Sequence, residues 1–194
     1  MTMPGCRLLC IDLQIDASGV ATPDARAIFG GRQLLAMARD LGWDVAHARR
    51  RSASSGAADL SDDRMAGLRP LMSERVFLRS GRPLTESAGL TALLDSWSRE
   101  TVYVAAFDNV ALLSCLLACY ERGPRLVLVE DALSATSTAG GRSPNDVLRA
   151  AAHHLAADST TLSDIIRATS ASVTRLPRTI ARGRHDDTAH NLRA

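Results

Sequence analysis

Residues 102–132 constrain the fold more than any other stretch, because two short apolar runs flank a longer apolar segment there. The run 102–107 is rich in β-forming residues, as is typical of a strand covered on both faces. The segment 110–119 is apolar almost throughout, which predicts a helix buried on most sides. Gly123 can end that helix in a left-handed conformation, and residues 125–129 form the second strand. A strand, a crossover helix and a parallel strand make one βαβ unit.

Strand-like and helix-like segments alternate along the rest of the chain. Further strands are predicted at 7–12, 43–48 and 74–79, with a weak one near Thr160 or Val173. Further helices are predicted at 22–41 (capped by Thr22), 86–99, 143–157 and 163–170. This alternation predicts an α/β fold with a mainly parallel sheet.

One domain is expected over residues 1–175, with no internal repeat. A polar stretch at 49–66 predicts a lid, a binding loop or a disordered loop. The Arg-rich tail at 176–194 has no periodicity, and it is expected to be disordered or to form an arm on a partner subunit.

Composition narrows the functional classes. A net charge of +2 argues against nucleic-acid binding through charge alone, and no apolar run is long enough for a membrane helix. The N-terminus does not resemble a signal peptide, so a cytoplasmic location is expected. The four cysteines have no metal-ligand spacing and are expected to be buried. All 23 basic residues are arginine, which excludes a lysine as proton carrier.

Ligands of such folds bind beyond the carboxyl ends of the strands. The residues that the sequence places there are Asp12, Arg49, Arg79, Phe107, Asp108 and Asp131.

Three segments in order resemble the isochorismatase-like hydrolase superfamily. LLCIDLQID resembles its first strand, an aliphatic run followed by Asp-x-Gln-x-Asp, with Asp12, Gln14 and Asp16 in those places. PLMSERVFLRSGRPLTESAGL resembles the segment that carries the catalytic lysine, but Arg79 stands in the place of that lysine.

The third segment resembles the family's Gly-x-x-Thr-x-x-Cys turn and its Val-x-Asp-Ala ending. Gly123, Asp131 and Ala132 fit the pattern, whereas Ala105, Asp108 and Ala111 stand at the glycine, threonine and cysteine positions. The resemblance covers residues 6–135 or so.

The resemblance implies a three-layer, doubly wound, six-stranded sheet with helices on both faces, in homodimers or larger homo-oligomers. Amidohydrolases of this family use an Asp-Lys-Cys triad whose thiolate attacks an amide carbonyl. Isochorismatases lack the cysteine and hydrolyse a vinyl ether, with the aspartate handling the proton. The expected catalytic residues are Asp12, Arg79 and Asp108, and the expected substrate-binding residues are Gln14, Arg49, Arg50, Phe107 and Ala111.

Asp12 and Arg79 each have two open roles. Asp12 is either an acid–base group or a structural carboxylate, and its pKa separates the two, because pairing keeps a carboxylate ionised while an apolar pocket raises its pKa. Arg79 either clamps a substrate carboxylate or holds Asp12 in an inactive ion pair.

Other candidates also have two interpretations. Asp108 is either a helix cap or a second carboxylate facing Asp12, and the arginines at 49–51 are either a solvated loop or an anion clamp. Cys115, one turn beyond Ala111, is either core or a displaced nucleophile. The spacing at His47 does not match a metal site of the family, and no metal or cofactor is expected.

Two functions are consistent with these residues. One is a cysteine-independent hydrolase or lyase that acts on a small, anionic metabolite through Asp12 acid–base chemistry, with secondary metabolism as one setting. The other is a catalytically inactive relative kept for ligand or partner binding. A solvent-open cavity with Asp12 free of Arg79 favours the enzyme, whereas a closed Asp12–Arg79 pair, or filling by Phe107 or Leu84, argues against it.

Overall fold

The computed structural model describes residues 6–14, 23–50, 67–79, 87–120, 123–134, 144–156 and 158–174. The strands are β1 (Cys6–Ile11), β2 (Asp44–Arg50), β3 (Arg75–Arg79), β4 (Thr101–Ala106), β5 (Arg125–Leu133) and β6 (Asp158–Thr160). The helices are α1 (Ala25–Asp40), α2 (Ala88–Ser96), α3 (Asn109–Tyr120), α4 (Pro144–Leu155) and α5 (Leu162–Thr174).

The strands form one six-stranded sheet in the order β3-β2-β1-β4-β5-β6, and every pair is parallel. The chain starts in the middle of the sheet, builds outward to β3, and then returns to add β4, β5 and β6. The predicted doubly wound α/β architecture is therefore confirmed. It places the carboxyl ends of β1 and β4 side by side, where the direction of winding reverses.

Two apolar clusters cover the two faces of the sheet. One cluster contains residues of α2, α3 and α4, including Leu93, Leu112 and Ala152. The other contains residues of α1 and α5, including Leu34 and Ile165. Helices thus lie on both faces, and β1 contributes alternate side chains to each cluster, which explains its continuous apolar sequence.

Several predicted boundaries needed correction. Helix α1 begins at Ala25 rather than near Thr22, and Asp24 caps it by accepting the Ala27 N–H at 2.7 Å. The weak strand is the one near Thr160, because Val173 lies in α5. The predicted tail at 176–194, the loop residues 51–66 and Leu84 lie outside the described residues.

Strand β2 is longer than the sequence indicated. It was expected to end at Ala48, but pairing with β3 carries it to Arg50, whose Cα lies opposite that of Arg79. Arg49 and Arg50 are therefore strand residues with fixed directions rather than the start of a loop. This extension decides what the two arginines can reach.

No helix in the described part of the chain combines the length and the apolar composition needed to cross a membrane.

Candidate active site

Four charged side chains from four strand ends meet at the carboxyl edge of the sheet. Asp12 follows β1, Arg50 ends β2, Arg79 ends β3 and Asp108 follows β4. Because all four strands run in the same direction, their carboxyl ends share one edge. The structure brings the three predicted catalytic residues together, and it adds Arg50 to them.

Asp12 is held on both carboxylate oxygens. Its Oδ2 accepts a hydrogen bond from Nη2 of Arg79. Its Oδ1 accepts the backbone N–H of Arg50 at 2.6 Å and lies 3.4 Å from Nε of Arg79. The side chain of Asp12 is only 5% exposed and that of Arg79 only 8%. The Asp12–Arg79 pair is therefore closed, which is the arrangement that argues against the enzyme.

The backbone at Asp12 is unusual as well. Its φ of 48° lies in the left-handed region, which aspartate tolerates better than most residues but which still costs energy. The Asp12 N–H donates to the Ala48 carbonyl at 2.8 Å, continuing the β1–β2 ladder before the chain turns. This conformation turns the chain at the end of β1, where the Asp12 carboxylate meets Arg79. Apart from the residue type, no sequence feature indicated this left-handed conformation.

Asp108 has both of the roles that were considered for it. Its Oδ1 accepts the N–H groups of Val110 and Ala111 at 2.9 and 3.0 Å, so it caps α3. Its Oδ2 accepts from Arg79 at 2.9 Å and from Arg50 at 2.5 Å. Cap and second carboxylate are not alternatives here, because one oxygen serves each role.

The charges of this cluster balance. Two carboxylates, Asp12 and Asp108, face two guanidinium groups, Arg50 and Arg79. The prediction of an anion site rested on arginines whose charge was available to a ligand. Arg50 and Arg79 instead share their charge with two aspartates, so the field on an incoming anion is weaker than the sequence indicated.

The two carboxylates titrate differently. Burial raises the pKa of Asp12 above its ordinary value, and Arg79 and the Arg50 N–H only partly offset this. Burial also opposes ionisation of Asp108, but the Ala111 N–H and the two arginines outweigh it and hold the pKa of Asp108 below its ordinary value. Asp12 is thus the carboxylate that is easier to protonate, which is the property expected of an acid–base group.

The predicted substrate-binding residues are placed unevenly. Gln14 donates to the Arg50 carbonyl at 3.0 Å and accepts from Nε of Arg49 at 3.2 Å, so both side chains lie beside the cluster. Phe107 is 5% exposed and packs in the apolar cluster on the α1 face. Ala111 is buried in the first turn of α3, next to Asp108.

Cys115 lies in the core. It is 1% exposed, and its hydrogen bond with Cys119 together with burial raises the pKa of its thiol well above the usual value. A thiol that resists ionisation is a poor nucleophile. The structure therefore supports the packing role rather than a displaced nucleophile.

His47 belongs to a separate buried cluster. Its Nε2 lies 2.9 Å from Oε2 of Glu74, which also binds Arg39 through Oε1 at 2.7 Å. Glu74 thereby ties β2 and the start of β3 to α1. Among the described residues, no group of three His, Cys, Asp or Glu side chains is arranged to hold a metal ion.

Arg50 is the residue whose importance sequence reasoning missed. It was expected only to contact substrate, but its backbone N–H binds Asp12 and its guanidinium binds Asp108. No sequence feature identified it, because the register of β2 with β3 that places Arg50 opposite Arg79 has no local sequence pattern.

Solved structures share this fold. An isochorismatase family protein from Desulfovibrio vulgaris is 18% identical, with a TM-score of 0.65 over 86% of this chain and 98% of its own. A cysteine hydrolase from Pseudomonas syringae is 16% identical, with a TM-score of 0.66 over 89% and 100%. The MAR1 ribonuclease from Caenorhabditis elegans is 16% identical, with a TM-score of 0.65 over 99% of each chain. The sequence matches no protein-family model and no curated protein.

At these identities the similarity shows the fold alone. The chain has the isochorismatase-like α/β fold, which confirms the fold that the three sequence segments implied.

Proposed function

We propose that this chain, which has the isochorismatase-like fold, is a hydrolase or lyase that acts on a small anionic metabolite without a cysteine nucleophile. Asp12 transfers the proton, Arg79 binds and polarises the substrate, and water is the nucleophile where one is needed. The observation that carries the proposal is the convergence of Asp12, Arg79 and Asp108 at the carboxyl edge of the sheet. The raised pKa of Asp12 supports the assignment of the proton to it.

The covalent amidase route is closed to this chain in the proposed mechanism. Ala111, at the position that the resemblance assigns to the nucleophile, carries no reactive group, and Cys115 is buried among apolar side chains. Hydrolysis of a vinyl ether needs no covalent enzyme intermediate, because protonation of the double bond gives an oxocarbenium ion to which water adds. The resulting hemiketal loses the alcohol by cleavage of its C–O bond and leaves a carbonyl compound. A neutral Asp12 carboxyl would supply that proton, and the resulting carboxylate would then be stabilised by Arg79.

A second candidate is an inactive binding protein of the same fold. The closed Asp12–Arg79 pair favours it, because both side chains are almost fully covered and each already satisfies the other's charge. Asp12 therefore has a raised pKa, which suits catalysis, but it is also held in a closed ion pair with Arg79, which suits a structural role. The two candidates differ in whether Asp12 changes its protonation state during a reaction, and turnover tests that.

Replacing Asp12 with asparagine tests the enzyme directly. Asp12→Asn keeps the shape and the acceptor for the Arg50 N–H but cannot carry a proton between reactants. We expect turnover of isochorismate, followed as pyruvate release, to fall at least about a hundredfold. Nicotinamide serves as the amide probe and should not be hydrolysed by the wild type. If the wild type turns over neither compound, or if Asp12→Asn retains the wild-type rate, the acid–base assignment is wrong.

Replacing Cys115 with alanine separates the cysteine-independent mechanism from a displaced nucleophile. Because Cys115 lies on a buried side of α3 and its thiol resists ionisation, Cys115→Ala should keep the wild-type rate with isochorismate within about twofold. A cavity cost of about 1 kcal/mol in the free energy of unfolding is expected and is measured separately by urea denaturation. Loss of turnover in a folded Cys115→Ala variant would show that the Cys115 thiol takes part in the reaction.

The proposed setting is the cytoplasm, as a homodimer or larger homo-oligomer with a small-molecule substrate and no nucleic-acid or membrane partner. Exposed apolar side chains on α3, among them Val110, Leu117 and Tyr120, support self-association. Light scattering coupled to gel filtration would measure the mass of the particle.

A further inference from the structure

Arg79 is engaged by two carboxylates of the protein itself, and this limits how an anion can bind. Its Nε and Nη2 face the two oxygens of Asp12, which is the forked geometry that a substrate carboxylate would need. Its Nη2 also reaches Asp108 at 2.9 Å. A ligand carboxylate can take that fork only by displacing the carboxylate of Asp12.

Charge balance makes such a displacement costly unless a proton is taken up. In the described residues the charged groups around Asp12 are Arg79 from β3, Arg50 and Arg49 from β2, and Asp108 from the β4–α3 turn. Two carboxylates and the two guanidinium groups of Arg50 and Arg79 are mutually paired. A further anion would add a third negative group to a poorly solvated cluster whose two paired guanidinium groups are already shared by Asp12 and Asp108, while Arg49 lies beside the cluster with its Nε on Gln14.

Protonation of one aspartate restores the balance, and the contacts decide which one. Asp108 uses Oδ1 to cap α3 with two N–H bonds and keeps Arg50 on Oδ2, so its carboxylate form is stabilised without Arg79. Asp12 loses Arg79, its only side-chain partner among the described residues, when that arginine turns to a ligand, and it retains the Arg50 N–H on Oδ1. Oδ2 of Asp12 is then the oxygen that accepts the proton.

We propose that binding of a small carboxylate at this site is coupled to the uptake of one proton by Asp12, with Arg79 exchanging the Asp12 carboxylate for that of the ligand. The inference rests on the proposed anion site and deepens it. The proton comes from solvent and forms an O–H bond at Oδ2 of Asp12, and no other covalent bond changes. The ligand thereby converts a closed ion pair into a neutral carboxyl group that can act as a proton donor. This removes the conflict between the closed pair and an acid–base role.

Isothermal titration calorimetry with simple carboxylates tests this without any need for turnover. Formate, acetate and benzoate are titrated into the full chain between about pH 5 and pH 8, in buffer pairs that differ in heat of ionisation. The difference in heat between the buffers gives the number of protons bound. We expect about one proton taken up per anion near neutral pH, and an affinity that falls about tenfold for each pH unit.

Asp12→Asn is the informative variant, and Asp158→Asn is its matched control. Asp12→Asn leaves Arg79 and Arg50 to share the single carboxylate of Asp108. The variant should therefore bind the same anions with no proton uptake and with an affinity independent of pH. Near pH 8 it should bind them at least about tenfold more tightly than the wild type. Asp158 is exposed and paired with Arg125 on the last two strands of the sheet, so Asp158→Asn should behave as the wild type.

Three results would overturn the inference: anion binding by the wild type without proton uptake, the same proton uptake in Asp12→Asn, or no binding of any of the three carboxylates at any pH. Its failure is distinguishable from that of the proposed function. If binding is coupled to proton uptake but there is no turnover, the inference stands and the protein is a binding protein. If turnover depends on Asp12 but binding takes up no proton, the proposed enzyme stands and the inference is wrong.

Discussion

Replacing Gly30 with alanine is expected to lower the free energy of unfolding by about 3 kcal/mol, although alanine is the better helix former. Gly30 lies in the middle of α1, where a Cβ atom would stand 1.9 Å from the carbonyl oxygen of Asp131 and 2.4 Å from its carbonyl carbon. Both are backbone atoms of β5, so no side chain can turn away to relieve the clash. Helix α1 would have to move off the sheet.

Gly31 provides the matched control for this substitution. A Cβ atom there would meet Cδ2 of Leu68 at 3.3 Å and the ring of Phe107 at 3.5 Å, and these are side-chain atoms that can adjust. Gly31→Ala also gains helix propensity, so its free energy of unfolding should stay within about 1 kcal/mol of the wild type. Urea denaturation of both variants measures the difference. Equal losses for Gly30→Ala and Gly31→Ala would show that helix α1 does not need its close approach to β5.

The two glycines show where sequence reasoning stops. From the sequence they only weaken the middle of a predicted helix, because intrinsic propensity treats every interior glycine alike. The distinction between Gly30 and Gly31 depends on which strand passes beneath the helix, and β5 lies about 100 positions further along the chain. No local pattern carries that information.

The fold itself was predictable because its signals are local. The apolar runs of β1, β4 and β5 mark strands covered on both faces. Gly123 has the expected left-handed conformation, with a φ of 97°, and its N–H donates to the Cys119 carbonyl of α3 at 3.1 Å. Alternation of strands and helices then leaves few topologies, because parallel crossovers have one preferred hand. Three short segments in order were enough to suggest the isochorismatase-like fold, which the solved structures confirm.

The sequence predicted which residues form the candidate site, but not which of them are paired with one another. Asp12, Arg79 and Asp108 were placed together because each follows or ends a strand of a parallel sheet. Whether Arg79 is free or paired depends on angstrom distances between residues 67 positions apart, and the length of β2 decides whether Arg50 can reach both aspartates. These quantities arise from the register of β2 with β3, which has no sequence signature here.

Removing the guanidinium of Arg79 should destabilise the protein strongly. Arg79→Met fills a similar volume but leaves Asp12 and Asp108 buried without the cation that they share, and we expect a loss of about 3 to 5 kcal/mol in the free energy of unfolding near pH 7. Arg125→Met is the control, because the Arg125–Asp158 pair is more than half exposed on both sides, and its loss should stay below about 1 kcal/mol.

The pH dependence of Arg79→Met identifies the charge responsible for that loss. Burial already raises the pKa of Asp12 with Arg79 present, and removal of Arg79 takes away the main opposing influence, so the folded pKa rises further above the unfolded one. A folded state that binds more protons than the unfolded state gains stability as the pH falls through the folded pKa, by at most about 1.4 kcal/mol per pH unit for one group. The deficit of Arg79→Met relative to the wild type should therefore shrink between about pH 7.5 and pH 5.

The double variant Asp12→Asn/Arg79→Met completes the cycle. It replaces a buried charge without a partner by a neutral amide, so it should recover at least about 2 kcal/mol of the loss in Arg79→Met, and its stability should depend less on pH over the same range. The free energies come from urea denaturation at each pH. A double variant no more stable than Arg79→Met, with a deficit that stays constant with pH, would mean that Arg79 stabilises the fold through packing. That result would also show that removal of the Arg79 guanidinium does not lead to protonation of Asp12.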